Sequence, residues 1–205
     1  MKAGIVTIPN KRDAYLYPLI DVLEESGCEV ELFVDYKRKG HTWNYQQALE
    51  GMLDNAGKDE PILITMDDVI TERQWLNDWK LLHEECKTDL YSLFTRRPHL
   101  RKYADQGHYK GVVKRGFYDH ASIYINQQGL NKRVQDWLQN EGKIFIPEKR
   151  RNHYDVCVQD YFVYHNIEWT TPVPCLFEHI GEISTLGHNI GKAICYKYEK
   201  RSKDI

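Results

Sequence analysis

No apolar run in this 205-residue chain approaches the ~18–20 residues needed to cross a bilayer, which argues against a membrane-spanning helix. Cysteine is sparse: Cys28, Cys86, Cys157, Cys175 and Cys195 form an odd set with no C-x-x-C pair. Their mostly apolar neighbours point to reduced, buried thiols rather than a disulfide framework or a zinc site. The glycines are scattered. There is no G-x-x-x-x-G-K-[ST] motif and no glycine-rich loop after the first apolar run, so a P-loop is excluded. Net charge is also small, at −2, and does not by itself announce a polyanionic partner. Repeats and low-complexity linkers are missing. The N-terminal "MKAGIVTIPN" is too short an apolar stretch for a signal peptide, and it reads as the first strand of a cytoplasmic protein.

What is present is an alternating pattern. Ala3–Ile8 is β-rich and ends at Pro9-Asn10. Leu16, Leu19, Ile20 and Leu23 then make a helical stripe that stops at Gly27. Cys28–Asp35 is a second strand, "YKRKGH" a polar loop, and Trp43 to Ala56 a helix carrying Tyr45, Ala48, Leu49, Met52 and Leu53. Pro61–Met66 is a third strand. This β-α-β-α-β series predicts an α/β fold with a mostly parallel sheet wound with helices. Further on, the pattern predicts a helix from Glu72 to Glu85 and a strand at Leu90–Thr95. A basic loop follows over His99–Gly116, then a strand at Ala121–Asn126 and helices near Leu130–Gly142 and Asp155–His165. A last strand-like segment is "VPCLFEHIG". The second half is less regular than the first. At this length one core is expected, in a single domain over 1–205.

Two features carry chemistry. The first is Asp67-Asp68, at the end of the apolar "PILITM". In wound parallel sheets, ligands sit beyond the carboxyl ends of strands, and Asp35 and Asp67-Asp68 both fall on that edge. Adjacent carboxylates there are either a turn and helix cap, or oxygen ligands for Mg²⁺ or Mn²⁺, whose charge relieves their repulsion. The second is a cluster of charge. Arg96, Arg97, Arg101, Lys102, Lys110, Lys114 and Arg115 stand against Asp105 alone, interleaved with Tyr103 and Tyr109, with Phe117 and Tyr118 just beyond. Cations neutralise phosphates and aromatic rings stack on bases, so this is the composition of a nucleic-acid-binding loop. It equally describes a solvated loop beside an anionic ligand. Lys149, Arg150 and Arg151 form a smaller cluster.

Three patches in order, "FVDYKRKGHTWNYQQALEGML", "PILITMDDVIT" and "CLFEHIGEIST", resemble the nucleotide-sugar-dependent glycosyltransferases of the GT-A fold. In that family a D-x-D or x-D-D motif holds a metal against the donor diphosphate, and a C-terminal histidine commonly completes the site. Here Met66 stands where the fuller motif has an acid, and Glu178 where the family often has Gln. The resemblance implies Asp68, Asp67 and His179 as ligands of Mn²⁺ or Mg²⁺, with His188 the weaker candidate. It implies donor contacts from Ile8, Pro9, Arg12, Asp35, Asn44 and Asp67, with UDP-sugar favoured, and Ser184 or Thr185 touching phosphate. A base for the acceptor hydroxyl is expected from Asp155, with Asp160 second.

On this reading residues 1–95 bind the nucleotide-sugar, residues 96–190 the acceptor through Arg96, Arg97, Arg101 and Lys102, and 191–205 form a basic tail. Small enzymes of this kind occur in bacteriophages, some of which glycosylate hydroxymethylated DNA bases. The resemblance therefore implies duplex DNA with modified bases as acceptor, in a host cytoplasm, with a surface glycan or saccharide as the alternative. Two rivals share the edge chemistry or do without it: a nucleotidyl- or phosphotransferase, and a non-enzymatic nucleic-acid-binding α/β module in which the Asp pair is only a turn.

Overall fold

A computed structural model describes residues 1–8, 13–95, 97–112, 121–151, 153–180 and 197. Pro9, Arg12, Arg96, Lys114, Arg115, Phe117, Tyr118, Ser184, Thr185, His188 and Cys195 lie outside the described residues, as does the tail apart from Lys197.

The first half follows the periodicity of its sequence. Strand β1 (Lys2–Thr7) leads to helix α1 (Asp13–Glu25), which buries Leu16, Leu19 and Leu23. Strand β2 (Glu29–Val34), helix α2 (His41–Leu53) and strand β3 (Ile62–Met66) complete the series. Gly4 lies on β1 beneath α2, where a Cβ would come within 3.0 Å of Met52 Cγ, so the helix can sit close on the sheet. The chain continues through β4 (Val69–Ile70), α3 (Trp75–Cys86), β5 (Leu90–Ser92), a 3-10 helix over Pro98–Gln106 and β6 (His108–Val112). The described residues go on to β7 (Ala121–Tyr124), α4 (Leu130–Gln139), α5 (Gly142–Phe145), α6 (Tyr154–Tyr164), β8 (Glu168–Pro172) and β9 (Glu178–His179).

Seven of these strands form one sheet in the order β2-β1-β3-β7-β5-β8-β6. From the pairings, β1, β2, β3, β5 and β8 run in one direction, while β7 and β6 oppose them. This is the mostly parallel, helix-wound α/β sheet that the sequence pattern predicts. Its two faces carry separate apolar clusters. Helices α2, α4 and α6 cover one, around Tyr45, Leu49, Val134 and Phe162. Helices α1 and α3 cover the other, around Leu19, Trp75 and Trp79.

Three details depart from the expected pattern. The described part of the basic stretch, up to Val112, is not a loop: it holds the 3-10 helix and β6, an edge strand antiparallel to β8. Strand β8, "EWTTP", escapes a hydrophobicity reading because its buried interior is threonine, a β-branched residue that suits strands without looking apolar. Strand β4 is two residues long and pairs with β9 in a separate small sheet. Among the described residues no helix is long and apolar enough to cross a membrane. Cys28, Cys86, Cys157 and Cys175 are free and buried, as their apolar neighbours lead one to expect.

Candidate active site

Asp67 and Asp68 are the two turn residues between β3 and β4, at the carboxyl edge of the sheet's third strand. Both are buried, at 2% and 3% exposure, so neither is the solvated turn residue that short polar side chains usually make. Their side chains serve different neighbours. The Thr7 hydroxyl, at the end of β1, donates to Asp67 Oδ2 at 2.7 Å, and Ile8 N–H approaches the same oxygen at 3.4 Å. Asp68 Oδ2 instead faces His179 Nε2 at 3.1 Å, and both side chains are nearly inaccessible.

The β4–β9 ladder sets that second contact. Val69 pairs with His179 and Ile70 with Glu178, and Ile180 N–H donates to Asp68 O at 2.9 Å. The segment before β9 is fastened too. The Thr71 hydroxyl donates to Leu176 O at 2.8 Å, while Leu176 and Phe177 N–H both donate to Leu93 O. The Phe94 ring lies 6.0 Å from the His179 ring. A histidine distant in sequence thus reaches the end of β3 by backbone pairing on one side and aromatic packing on the other.

Carboxylate oxygen and imidazole nitrogen form a donor set that suits Mn²⁺ and tolerates Mg²⁺. Their 3.1 Å separation is that of an ordinary hydrogen bond, and also roughly that of two neighbouring ligands around an octahedral ion bound at about 2.1 Å. No group of three His, Cys, Asp or Glu side chains that could hold a metal occurs among the described residues. An Asp68 carboxylate beside the His179 imidazole fits an ion whose shell substrate phosphates and water help to complete. Of the expected trio, Asp68 and His179 are in direct contact, while Asp67 accepts from the Thr7 hydroxyl at the end of β1.

Asp35 follows β2 and is 3% exposed. Its Oδ1 accepts from Lys39 N–H at 2.8 Å and its Oδ2 from Gly40 N–H at 2.7 Å, fixing the loop that precedes α2. Asn44, on α2, donates through Nδ2 to Thr7 O at 3.0 Å and Phe33 O at 2.7 Å, and so ties the carboxyl ends of β1 and β2 together. An open cavity of about 420 Å³ lies against Asn44, lined by Phe33, Val34, Trp43 and Gln47. It flanks β2 and does not include the Asp68–His179 pair.

Asp155 stands in the first turn of α6, half-buried, and its Oδ1 has no hydrogen-bond partner among the described residues. Asp160 is one and a half turns further on and wholly buried, 3.5 Å from Arg150 Nη2. It is therefore not the solvated helix-face charge its sequence position offers as the plain alternative. Cys157, between them, is a buried thiol whose surroundings disfavour the thiolate. Burial, reinforced by the charges of Asp155 and Asp160, pushes its thiol up to about 12.

Arg101 and Lys102 are exposed on the 3-10 helix, and Lys102 Nζ stands 5.1 Å from the Tyr103 ring. Arg97 is half-buried, with its guanidinium 6.0 Å from the Trp169 ring. Lys110, expected with them, instead donates to Cys86 O at 3.0 Å and lies 3.9 Å from Glu168. Thr7, Thr71 and Phe94 were not singled out by sequence. A hydroxyl at a strand's carboxyl end is the sole local signal for Thr7, and only tertiary pairing reveals the other two.

No family model matches the chain, and no curated protein matches it. Among solved structures, residues 1–349 of S. aureus TarS in complex with UDP-GlcNAc show 14% identity and a TM-score of 0.49, covering 83% of this chain and 56% of that one. The galactosyltransferase LgtC in complex with donor and acceptor sugar analogs shows 13% identity and a TM-score of 0.40, covering 79% and 70%. The inositol-1-phosphate CTP transferase from T. maritima shows 13% identity and a TM-score of 0.38, covering 83% and 65%. The chain spans a little over half the length of the TarS structures.

Proposed function

We propose that the chain is a metal-dependent glycosyltransferase that moves a sugar from a nucleotide-sugar, UDP-sugar favoured, to an acceptor hydroxyl. The observation that carries this reading is the buried Asp68–His179 pair, 3.1 Å apart, at the carboxyl edge of the third strand of a wound sheet. A buried carboxylate and imidazole on the ligand edge have a use as ligands that a plain turn does not explain. Asp68 and His179 would hold Mn²⁺ or Mg²⁺, and the ion would supply stabilisation of the charge developing on the leaving nucleoside diphosphate.

The remaining work falls to the chain's own groups. Asn44 and Asp35 shape the nucleoside end, with Ile8 N–H and Asp67 beside it. Pro9 and Arg12 extend this donor wall in sequence. In an inverting transfer the acceptor oxygen bonds to the sugar's anomeric carbon, the bond from that carbon to the diphosphate breaks, and the acceptor proton passes to a carboxylate. Asp155 is the first choice for that base and Asp160 the second, since Asp160 is fully buried beside Arg150. Residues 1–95 then form the donor half, and Arg96, Arg97, Arg101 and Lys102 serve an acceptor taken to be a hydroxymethylated base in phage-type DNA.

The test is a thermal-shift screen of UDP-, GDP- and CDP-sugars with and without Mn²⁺, followed by assay of metal-dependent donor hydrolysis. A shift that needs both sugar nucleotide and metal, and that disappears in Asp68→Ala, is expected. A chain whose melting temperature responds to no nucleotide-sugar under either condition is not this enzyme.

A further inference from the structure

The loop between β2 and α2 reads Tyr36-Lys37-Arg38-Lys39-Gly40, and all five residues are exposed, Tyr36 at 78%. Three consecutive cations would normally make a solvated surface loop. This one is fixed from beneath: both Asp35 oxygens are engaged by its Lys39 and Gly40 N–H groups, and Lys39 Nζ lies 4.5 Å over the Trp43 ring. A preordered cationic loop loses less freedom on binding than a mobile one does.

Its place in the sheet adds meaning. In the order β2-β1-β3-β7-β5, the loop leaves the carboxyl end of β2, two strands to one side of β3. Arg97, Arg101 and Lys102 follow the carboxyl end of β5, two strands to the other side. At about 4.8 Å per strand, the two strand ends stand ~19 Å apart with the Asp67-Asp68 turn midway. The acids Asp35, Asp67 and Asp68 are buried, whereas Lys37, Arg38, Lys39, Arg101 and Lys102 are exposed. Two cationic rims therefore flank the candidate site.

A single diphosphate is too small to touch both rims. Duplex DNA presents one charge per ~1.7 Å of axis, so a span of ~19 Å offers on the order of ten phosphates. Exposed Tyr36 adds a ring face on which an unstacked base can rest, which favours nucleic acid over a plain polyphosphate. We propose that the Tyr36–Lys39 loop is a second phosphate-contacting rim, which with Arg97, Arg101 and Lys102 straddles the site to seat duplex DNA. The proposal deepens the DNA-acceptor reading above and rests on it for the meaning of the site between the rims.

The experiment measures anisotropy of a short labelled DNA duplex, without nucleotide-sugar, from about 50 to about 200 mM salt. The proteins compared are the wild type, a Lys37→Ala/Arg38→Ala/Lys39→Ala variant, an Arg101→Ala/Lys102→Ala variant, and their combination. The first variant is expected to weaken binding roughly tenfold at about 100 mM salt and to lower the slope of log K against log salt by about 2 to 3. Lys37→Arg/Lys39→Arg should keep the wild-type slope. Lys37→Gln/Arg38→Gln/Lys39→Gln replaces the alanine variant if that one melts early. Tyr36→Ala should weaken a duplex with an unpaired base more than a fully paired one.

An unchanged slope in the loop variant overturns the second rim, whatever the donor screen shows. Inorganic polyphosphate binding as tightly as DNA, with Tyr36→Ala silent, overturns the nucleic-acid assignment. If the slopes fall as expected while no nucleotide-sugar shifts the melting temperature, the rim stands and the glycosyltransferase reading alone fails.

Discussion

Val69 pairs with His179 across a two-residue ladder, and this pairing brings an imidazole within 3.1 Å of Asp68. The chemistry of the proposed metal site therefore depends on a small sheet that holds the C-terminal segment against the turn. His179→Ala should abolish the Mn²⁺-dependent part of any donor thermal shift. It also leaves Asp68 buried without the imidazole, which costs about 1–3 kcal/mol of folding stability. Urea denaturation of the metal-free protein measures the second effect, and titration with Mn²⁺ measures the first. A variant with the wild-type Mn²⁺ response would remove His179 from the site.

Thr7 gives a test of Asp67's separate role. Thr7→Val removes the hydroxyl that donates to Asp67 Oδ2 at 2.7 Å while keeping the β-branched shape. A buried carboxylate that loses one donor costs about 1–3 kcal/mol, so the urea midpoint should fall, and Thr7→Ser should restore most of it. Equal stability of the Val and Ser variants would show that the contact contributes nothing.

Asn44 makes a sharper prediction because its two acceptors are both carbonyl oxygens. Asn44→Ala leaves Thr7 O and Phe33 O without their side-chain donor, at a cost of about 1–3 kcal/mol. Asn44→Asp is expected to be worse at neutral pH, because a buried carboxylate would face two carbonyls with no proton to offer. Burial beside two carbonyl oxygens disfavours the charged form of an acid in that place, so its folded pKa is expected above the unfolded one. Its stability contribution is therefore present at low pH and lost as pH rises through that value. Thermal melts at about pH 4 and pH 8 should bring Asn44→Asp towards Asn44→Ala at the acid end and drive them apart at the alkaline end.

How far these contacts are legible beforehand follows from their range. The βαβαβ half, the strand-end placement of Asp35, Asp67 and Asp68, and the burial of four cysteines all come from local periodicity and are visible in sequence. Asn44 and Asp35 could be placed at the edge, but their work as a strand tie and a loop clamp requires knowing which backbone groups lie opposite. Strand β8 was hidden by buried threonines, β4 by its two-residue length, and β6 by the charge of Lys110, which reaches back to Cys86 O. Each miss is a case in which pairing partners distant in sequence override a local polar signal.

Cys157 supplies the pH test. Burial comes first, with Asp155 and Asp160 adding to it, and the folded thiol is pushed up to about 12 from an ordinary value near 9. A folded pKa raised above the unfolded one means the stabilising contribution is complete below about pH 9 and is lost as pH rises towards 12. Cys157→Ala should therefore show a flatter fall in stability between about pH 8.5 and pH 10.5 than the wild type. In the folded protein at about pH 8, a thiol reagent should modify Cys157 far more slowly than it does in urea, where the thiol regains its ordinary acidity. Equal labelling rates in both states would mean that the α6 interior opens readily, and that Asp160 is far more accessible than its burial indicates.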